Sequence, residues 1–275
     1  MPTKRNVPKS QDSQWLVFLV ATFYLVVPFL VLLAIARRAE PAEASLVTSL
    51  PVEDYHRALL QAEQPEIAPV SRSLVSVESG ANAKPVTVVT WTRGVIAFND
   101  RTPNYKDTWV TVSPHVQNFC RSFMRQNGAD LSKLALRLEQ RLGLPPNSNY
   151  DTFVELRIDP RMPQFFRPCK NPSPTGNSCD PAKSRTALEL RDDFRATDPQ
   201  KRREVQNRYW FLNTFYNSFA SKNQYPWTSL GYTFDWARKG NSNEFEKFGE
   251  SEFIVAADTP VKFLSAASTA SYCAP

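Results

Sequence analysis

The sequence predicts an α+β fold, in which a single N-terminal transmembrane helix precedes a globular domain of mixed strands and helices stabilised by disulfides. Three observations support this prediction. An uncharged apolar run lies near the N-terminus, strand and helix periodicities follow it without regular βαβ alternation, and all four cysteines come after it. The 275 residues, 42% hydrophobic and 22% charged, suit one or two domains of ordinary globular composition.

Residues 15–36 form the apolar run, WLVFLVATFYLVVPFLVLLAIA, which carries no charge in 22 residues. At 1.5 Å per residue the run spans about 33 Å, and a bilayer core is about 30 Å thick. We therefore predict a transmembrane helix over residues 14–36 that anchors the protein in a lipid bilayer. A cleaved signal peptide is the alternative, because Ala34-Ile35-Ala36 matches an A-x-A cleavage pattern, but the apolar stretch of such a peptide is usually only about 7–15 residues long.

Basic residues on the two sides of the apolar run predict its orientation. The positive-inside rule favours a cytoplasmic tail over residues 1–13 and a periplasmic or extracellular domain after the helix. Three basic side chains precede the run and two follow it: Lys4, Arg5 and Lys9, then Arg37 and Arg38. The cysteines after the run agree with that orientation, since disulfides persist in oxidising compartments.

Residues 37–84 are expected to connect the membrane to the folded domain. Apolar residues at helical spacing predict a juxtamembrane helix over 52–63, and the Pro-rich and Ser-rich stretch 64–84 predicts an extended linker. The extracytoplasmic α+β domain is expected to cover residues 85–275.

The domain should begin with strands and continue with two helices. β-branched residues predict strands over 86–92, 94–98 and 108–112. The period then changes, and a first helix is predicted from Pro114 with Ser113 as its N-cap. A second helix should follow Asp130 as its cap and present the stripe Leu131, Leu134, Leu138 and Leu142 before Gly143 ends it.

Further elements are predicted in the second half of the domain. Residues 152–158 alternate, with Val154, Leu156 and Ile158 on one face, which indicates a strand with one buried face. A long helix should open at Asp198-Pro199, and a strand is predicted over 252–256. The stripe expected to face the core from the long helix is Val205, Tyr209, Leu212, Tyr216 and Phe219.

The four cysteines predict up to two disulfides, with three possible connectivities. We favour Cys169 with Cys179, which flank a loop of polar and turn-forming residues, and this leaves Cys120 with Cys273. Free buried thiols and a zinc site are the alternatives. Zinc is disfavoured because no C-x₂-C or C-x₄-C pair occurs. No metal or cofactor is expected.

Aromatic residues concentrate between residues 209 and 236. Exposed aromatic rings beside a carboxylate suit sugar rings or a protein partner, because their surfaces are flat and amphipathic. The alternative is a large core whose Tyr and Trp tips form hydrogen bonds at its rim. The candidate binding residues, on predicted turn and strand, are Trp227, Tyr232, Asp235 and Trp236.

No catalytic residue is assigned, because the sequence holds no G-x-S-x-G, H-E-x-x-H, P-loop or G-x-G-x-x-G motif. Glu155, Asp159 and Asp235 are the carboxylates considered for acid–base chemistry. Glu155 with Arg157 on one strand face is more simply interpreted as a surface ion pair. The net charge of +6 comes without a basic stripe or a recognisable module, so nucleic-acid binding is not expected.

Six segments of the domain resemble a group of uncharacterised bacterial exported or membrane-anchored proteins. They are DTWVTVSPHVQNFC, LRLEQRLGLPPNS, FVELRIDP, FFRPC, YPWTSLGYTFDW and ESEFIVA, in that order between residues 86 and 275. The resemblance implies a bacterial, extracytoplasmic setting and no activity or catalytic residue.

Two functional hypotheses follow from the sequence. The first is a non-enzymatic interaction or accessory domain that binds another envelope protein, indicated by the aromatic surplus and the missing catalytic motifs. The alternative is a module that binds or processes cell-envelope glycans through aromatics and Asp235. This alternative requires a concave pocket that combines aromatic rings with a carboxylate.

Overall fold

A computed structural model describes residues 42–64, 69–94, 106–169, 172–179, 197–220 and 224–275, with the side chains of 42–50 and 199–204 excepted. The predicted cytoplasmic tail, the transmembrane helix over 14–36 and all but the first residue of the predicted strand 94–98 lie outside the described residues. Among the helices that are described, none combines the length and the apolar character needed to cross a membrane. The chain divides into two units, Met1–Leu50 and Pro51–Pro275.

Seven antiparallel strands build one sheet in the described part of the domain, in the order β4-β6-β2-β1-β3-β7, with β5 paired to β6. The sheet and the mixed helices agree with the predicted α+β class. β6 is far longer than the predicted 252–256, because its first half pairs with β5 and its second half with β2 and β4. The strands are β1 (Val86–Thr92), β2 (Thr108–Val112), β3 (Thr152–Ile158), β4 (Phe165–Phe166), β5 (Tyr232–Arg238), β6 (Phe245–Val255) and β7 (Lys262–Ser268).

Within the described residues five helices accompany the sheet: α1 (Ala42–Glu63), α2 (His115–Asn127), α3 (Leu131–Arg141), α4 (Pro199–Phe219) and α5 (Thr269–Tyr272). The predicted juxtamembrane helix 52–63 is the second half of α1, which contains Pro51. Tyr55, Ala58 and Leu59 of α1 pack against Phe234 and Trp236 of β5. The predicted connecting segment 37–84 is therefore not a linker throughout, because α1 contributes to the core of the domain from Tyr55 onward.

Strand register divides the sheet into two faces. Cross-strand partners share a face, so the pairing of Val89 with Thr111 and of Thr111 with Glu252 places these three residues on one side. The other side carries Val154, Leu156 and Ile158, all buried as predicted. The opposite face of β3 is less exposed to solvent than predicted, because Phe153 is buried there beneath α2 and α3.

Helices α2 and α3 cover part of the first face. Asp130 caps α3 as predicted, by accepting hydrogen bonds from the backbone N–H groups of Ser132 and Lys133. The predicted Ser113 cap of α2 is wrong: Pro114 takes the N-cap position, and the Ser113 hydroxyl donates to Glu155 instead. The predicted stripe of α3 is partly correct: Leu134 and Leu138 are buried, whereas Leu131 at the start of the helix is 48% exposed.

Two disulfides cross-link the domain. Cys120 of α2 is bonded to Cys273, and Cys169 to Cys179, which is the pairing that the sequence favours. The first bond holds the C-terminal segment against α2. The second closes a short loop whose backbone accepts hydrogen bonds from residues 74 and 77 of the extended segment before β1.

Candidate functional site

The four predicted binding residues lie in the interior and do not form the expected exposed surface. The exposed fractions of Trp227, Tyr232, Asp235 and Trp236 are 4%, 1%, 0% and 0%. Their polar tips are largely satisfied from within: the Tyr232 hydroxyl donates to the Pro69 carbonyl, and the Trp236 indole donates to the Leu144 carbonyl. The β5–β6 ladder and the elements packed on it enclose these side chains. For Trp227, Tyr232 and Trp236 the alternative prediction, a large aromatic core, is therefore correct.

Asp235 belongs to a buried ion-pair network and is not open to a ligand. Arg137 donates two hydrogen bonds to its carboxylate, at 3.0 and 2.8 Å, and Arg141 approaches it at 3.5 Å. Arg141 also donates to Glu250 at 2.8 Å. Because both arginines lie on α3, the network joins that helix to β5 and β6.

The other carboxylates considered for acid–base chemistry also serve local structure. Glu155 accepts hydrogen bonds from Ser113 and Ser265, in place of the expected surface pair with Arg157. Asp159 is bonded to Arg161 two residues further along the chain. No group of three metal-ligating His, Cys, Asp or Glu side chains occurs within the described residues.

A cavity of about 1080 Å³ lies within the Pro51–Pro275 unit, on the sheet face that carries Glu252. We call it the aromatic cavity. Strands β1, β2 and β6 and helix α4 are among the elements that contribute residues to its lining. Of the four predicted binding residues, only Trp227 lies in its wall.

Three tryptophans form a cluster in the wall of this cavity, here called the tryptophan trio: Trp109, Trp210 and Trp227. Their ring centroids are 6.0 to 6.2 Å apart in every pair. Trp109 on β2 is 39% exposed, whereas Trp227 is buried, so the trio extends from the surface into the interior. Aromatic rings at this spacing offer both faces and edges to a ligand.

Asp107 holds the trio in place. Its carboxylate accepts a hydrogen bond of 2.6 Å from the Trp210 indole and one of 3.0 Å from the Ala257 backbone N–H. The hydrogen bond from Trp210 to Asp107 links α4 to the segment just before β2. Asp107 itself lines the aromatic cavity.

Helix α4 presents a polar face to the cavity. Residues at positions i, i+1, i+4 and i+5 share one side of a helix, and four short polar side chains at this spacing line the cavity. The predicted apolar stripe of α4 is only partly correct, because Tyr209 and Tyr216 are 56% and 64% exposed while Val205 is buried. The polar lining residues are Asn213, Thr214, Asn217 and Ser218.

Glu252 is the buried carboxylate of the aromatic cavity. Its side chain is only 4% exposed, and burial raises the pKa of Glu252 to about 8. The Trp227 indole N–H and the Arg167 guanidinium counteract this rise in part. The Trp227 indole N–H thus lies close to the carboxyl group, yet neither Trp227 Nε1 nor Glu252 Oε1 completes a hydrogen bond of normal geometry with any described residue.

Arg167 supplies a buried positive charge near Glu252. Its guanidinium donates to the carbonyls of Val75, Gly176 and Gly231 and lies 4.4 Å from the centroid of the Phe253 ring. Burial lowers the pKa of Arg167 to about 10, so the group stays charged near neutral pH. Through these hydrogen bonds Arg167 links the segments that contain Val75, Gly176 and Gly231.

The sequence patterns did not identify Glu252, Asp107 or the cavity as parts of a site. A signal for Glu252 was present: in the run SEFIV it shares a strand face with Ile254, which is fully buried. A glutamate on the same face as a core isoleucine indicates a buried carboxylate. No comparable local signal connects the tryptophan trio, because its members come from three separate segments.

Comparison with known proteins adds no relative: no family model matches the chain, and neither a curated protein nor a solved structure matches it.

Proposed function

We propose that this protein binds a cell-envelope glycan in the aromatic cavity. The observation that carries the proposal is the tryptophan trio, which faces a cavity that also has a polar wall from α4. A sugar ring has an apolar C–H face and a rim of hydroxyl groups, which match indole rings and short amide or hydroxyl side chains respectively. A volume of about 1080 Å³ is at the upper end of small-molecule sites.

The proposed location is the outer side of a bacterial membrane. The uncharged run 15–36 supports a single-pass anchor, and the surplus of basic residues before it supports a cytoplasmic N-terminus. The two disulfides support an oxidising compartment for the domain. A domain held there lies within reach of envelope polymers.

Binding is favoured over glycan hydrolysis. Hydrolysis requires two carboxyl groups about 5–10 Å apart, one of them free to act as base or nucleophile. Asp107 and Glu252 both line the cavity, but the Asp107 carboxylate is committed to Trp210 and Ala257. Among the described residues that line the cavity, Glu252 is thus the carboxyl group left for a ligand, and one such group suits recognition.

The test is a titration of the full-length protein in detergent with soluble envelope glycans, including peptidoglycan fragments, followed by calorimetry. Trp210→Ala should weaken binding about tenfold, since it removes one stacking ring and the bond to Asp107. Tyr216→Ala is the matched control on the same helix, because Tyr216 is exposed and does not line the cavity. Equal binding by wild type and Trp210→Ala would reject the cavity as the site.

A protein partner is the second candidate, favoured by the outer face of α4. Tyr209 and Tyr216 are two helical turns apart and both more than half exposed. Tyrosine is enriched at protein interfaces. If this face docks an envelope protein, Tyr216→Ala should remove a crosslinked partner from intact membranes, and Trp210→Ala should leave the crosslink in place.

A further inference from the structure

We propose that Glu252 and Trp227 form the polar anchor of the aromatic cavity, and that this anchor binds a hydroxyl group of a neutral, polyhydroxylated ligand. The hydroxyl donates its hydrogen to the Glu252 carboxyl group and accepts one from the Trp227 indole N–H. This assignment rests on the proposed glycan-binding function and names the ligand group that the site recognises.

The anchor is recognised by its unmet hydrogen bonds. Both residues line the cavity and are 4% exposed, and both carry an atom without a partner among the described residues. One of these atoms is an acceptor, Glu252 Oε1, and the other is a donor, Trp227 Nε1. A buried polar atom without a hydrogen-bond partner destabilises the protein, so a ligand that satisfies both atoms gains affinity at this point.

A hydroxyl group fits this pair because it is a donor and an acceptor at once. An ammonium group has no acceptor and would leave the indole N–H unsatisfied, whereas a hydroxyl group can serve the indole and either oxygen of the carboxyl group. Glu252 Oε1 has no hydrogen-bond partner of normal geometry among the described residues, so this oxygen is available to a ligand in the cavity. The 2.6 Å bond of Trp210 to Asp107 shows that another member of the tryptophan trio already has its donor satisfied, in contrast to Trp227.

A quaternary ammonium ligand is the main competitor, because aromatic rings beside a carboxylate also suit cations. The buried guanidinium of Arg167 argues against it, since its charge already balances Glu252 when that group is ionised. Burial moreover raises the pKa of Glu252 to about 8, so the carboxyl group is largely neutral at pH 7. A neutral carboxyl group does not attract a cation by charge, whereas it still forms hydrogen bonds with a hydroxyl.

The test compares two probes with the full-length protein in detergent by saturation-transfer NMR: methyl β-glucopyranoside and choline. Five variants are measured beside the wild type, and one of them is the Trp210→Ala variant of the glycan titration. Glu252→Leu removes the hydrogen-bonding group, Glu252→Gln replaces it with a neutral one, and Trp227→Phe removes the indole donor. Glu246→Leu is the matched control, since it makes the same change at an exposed position of the same strand.

The proposal predicts that the glucoside binds and choline does not. Glu252→Leu and Trp227→Phe should each weaken glucoside binding about tenfold or more, and Glu252→Gln should restore most of what Glu252→Leu removes. Glu246→Leu should bind as the wild type does. Near-ultraviolet circular dichroism and disulfide mapping check that each variant is folded.

Three results would overturn the proposal, and they are distinguishable. Preferential binding of choline, lost in Glu252→Gln, would identify a cation site. Glucoside binding that depends on Trp210 but is unchanged in Glu252→Leu and Trp227→Phe would keep the glycan site and reject this anchor, with Glu252 and Trp227 serving only each other. Binding of no envelope glycan and of neither probe would reject the proposed function together with the anchor.

Discussion

Arg137 and Asp235 form a two-point ion pair in the interior of the domain, with Nη1–Oδ1 and Nη2–Oδ2 distances of 3.0 and 2.8 Å. The arginine is on α3 and the aspartate on β5, so the pair joins a helix to the β5–β6 ladder. Asp235 has no exposed surface. Its role is therefore to hold α3 against the β5–β6 ladder.

Removal of this aspartate charge should destabilise the domain strongly. Asp235→Asn leaves the Arg137 charge without a carboxylate partner and leaves Arg141 with Glu250 alone, and loss of one member of a buried pair costs about 3–5 kcal/mol. Urea unfolding should show this loss as a lower transition midpoint. Asp159→Asn is the control, because that aspartate pairs with Arg161 at the surface and should matter far less. Equal midpoints for the two variants would contradict the structural role of Asp235.

The two disulfides should differ in their contribution to stability. Cys120–Cys273 spans 153 residues and Cys169–Cys179 spans 10. By the loop-entropy relation, removal of the long-range bond should cost about 5 kcal/mol and removal of the short-range bond about 3 kcal/mol. Thermal unfolding of the two double Cys→Ala variants measures the order. A larger loss from the short loop would contradict the argument from chain entropy.

Glu252 should make stability fall as the pH rises. Its folded-state pKa is raised from 4.5 to about 8, so between these values the folded state holds a proton that the unfolded state has released. Stability from this group is fully present below pH 4.5 and is lost as the pH rises towards 8. The free energy of unfolding should therefore decline between pH 5 and 8 more steeply in wild type than in Glu252→Gln, which cannot titrate there. Parallel pH profiles would show that Glu252 is not held as a neutral acid.

Gly249 should tolerate no side chain. A Cβ atom at this position of β6 would overlap Thr233 and the Arg141 carbonyl, both of which belong to the packed wall. Gly249→Ala should cost about 1–3 kcal/mol of folding free energy from overpacking. Gly80→Ala is the control, since a Cβ there meets no atom within 4 Å. Calorimetric unfolding of both variants compares them, and a Gly249→Ala variant as stable as Gly80→Ala would refute the close packing.

Local patterns predicted much of the fold. Alternation on β3 gave the burial of Val154 and Leu156, helical spacing gave Leu134 and Leu138, and the cysteine spacing favoured the observed pairing. Each of these features depends on neighbours within a few residues or on a simple count. The α+β class follows from the same local signals.

The candidate site depends on distant segments, and local patterns do not reach it. Trp109, Trp210, Trp227 and Glu252 meet only because β2 pairs with β6 and α4 crosses the same face. The sequence pattern predicted exposed rings around Asp235, because aromatic residues cluster there along the chain. In the folded domain most of those rings pack inward, since α1 and α3 cover β5 and β6.

The central claim is that the aromatic cavity binds a glycan, and the indole signals of the full-length protein test it most directly. The chain has six tryptophans, each with one indole N–H resonance in a ¹⁵N–¹H spectrum. During titration with soluble peptidoglycan fragments, the resonances of Trp109, Trp210 and Trp227 should shift together, while that of Trp236, bonded to Leu144 and outside the cavity wall, should stay in place. Shifts that leave the trio unchanged, or no shift under a saturating panel of envelope glycans, would contradict the account.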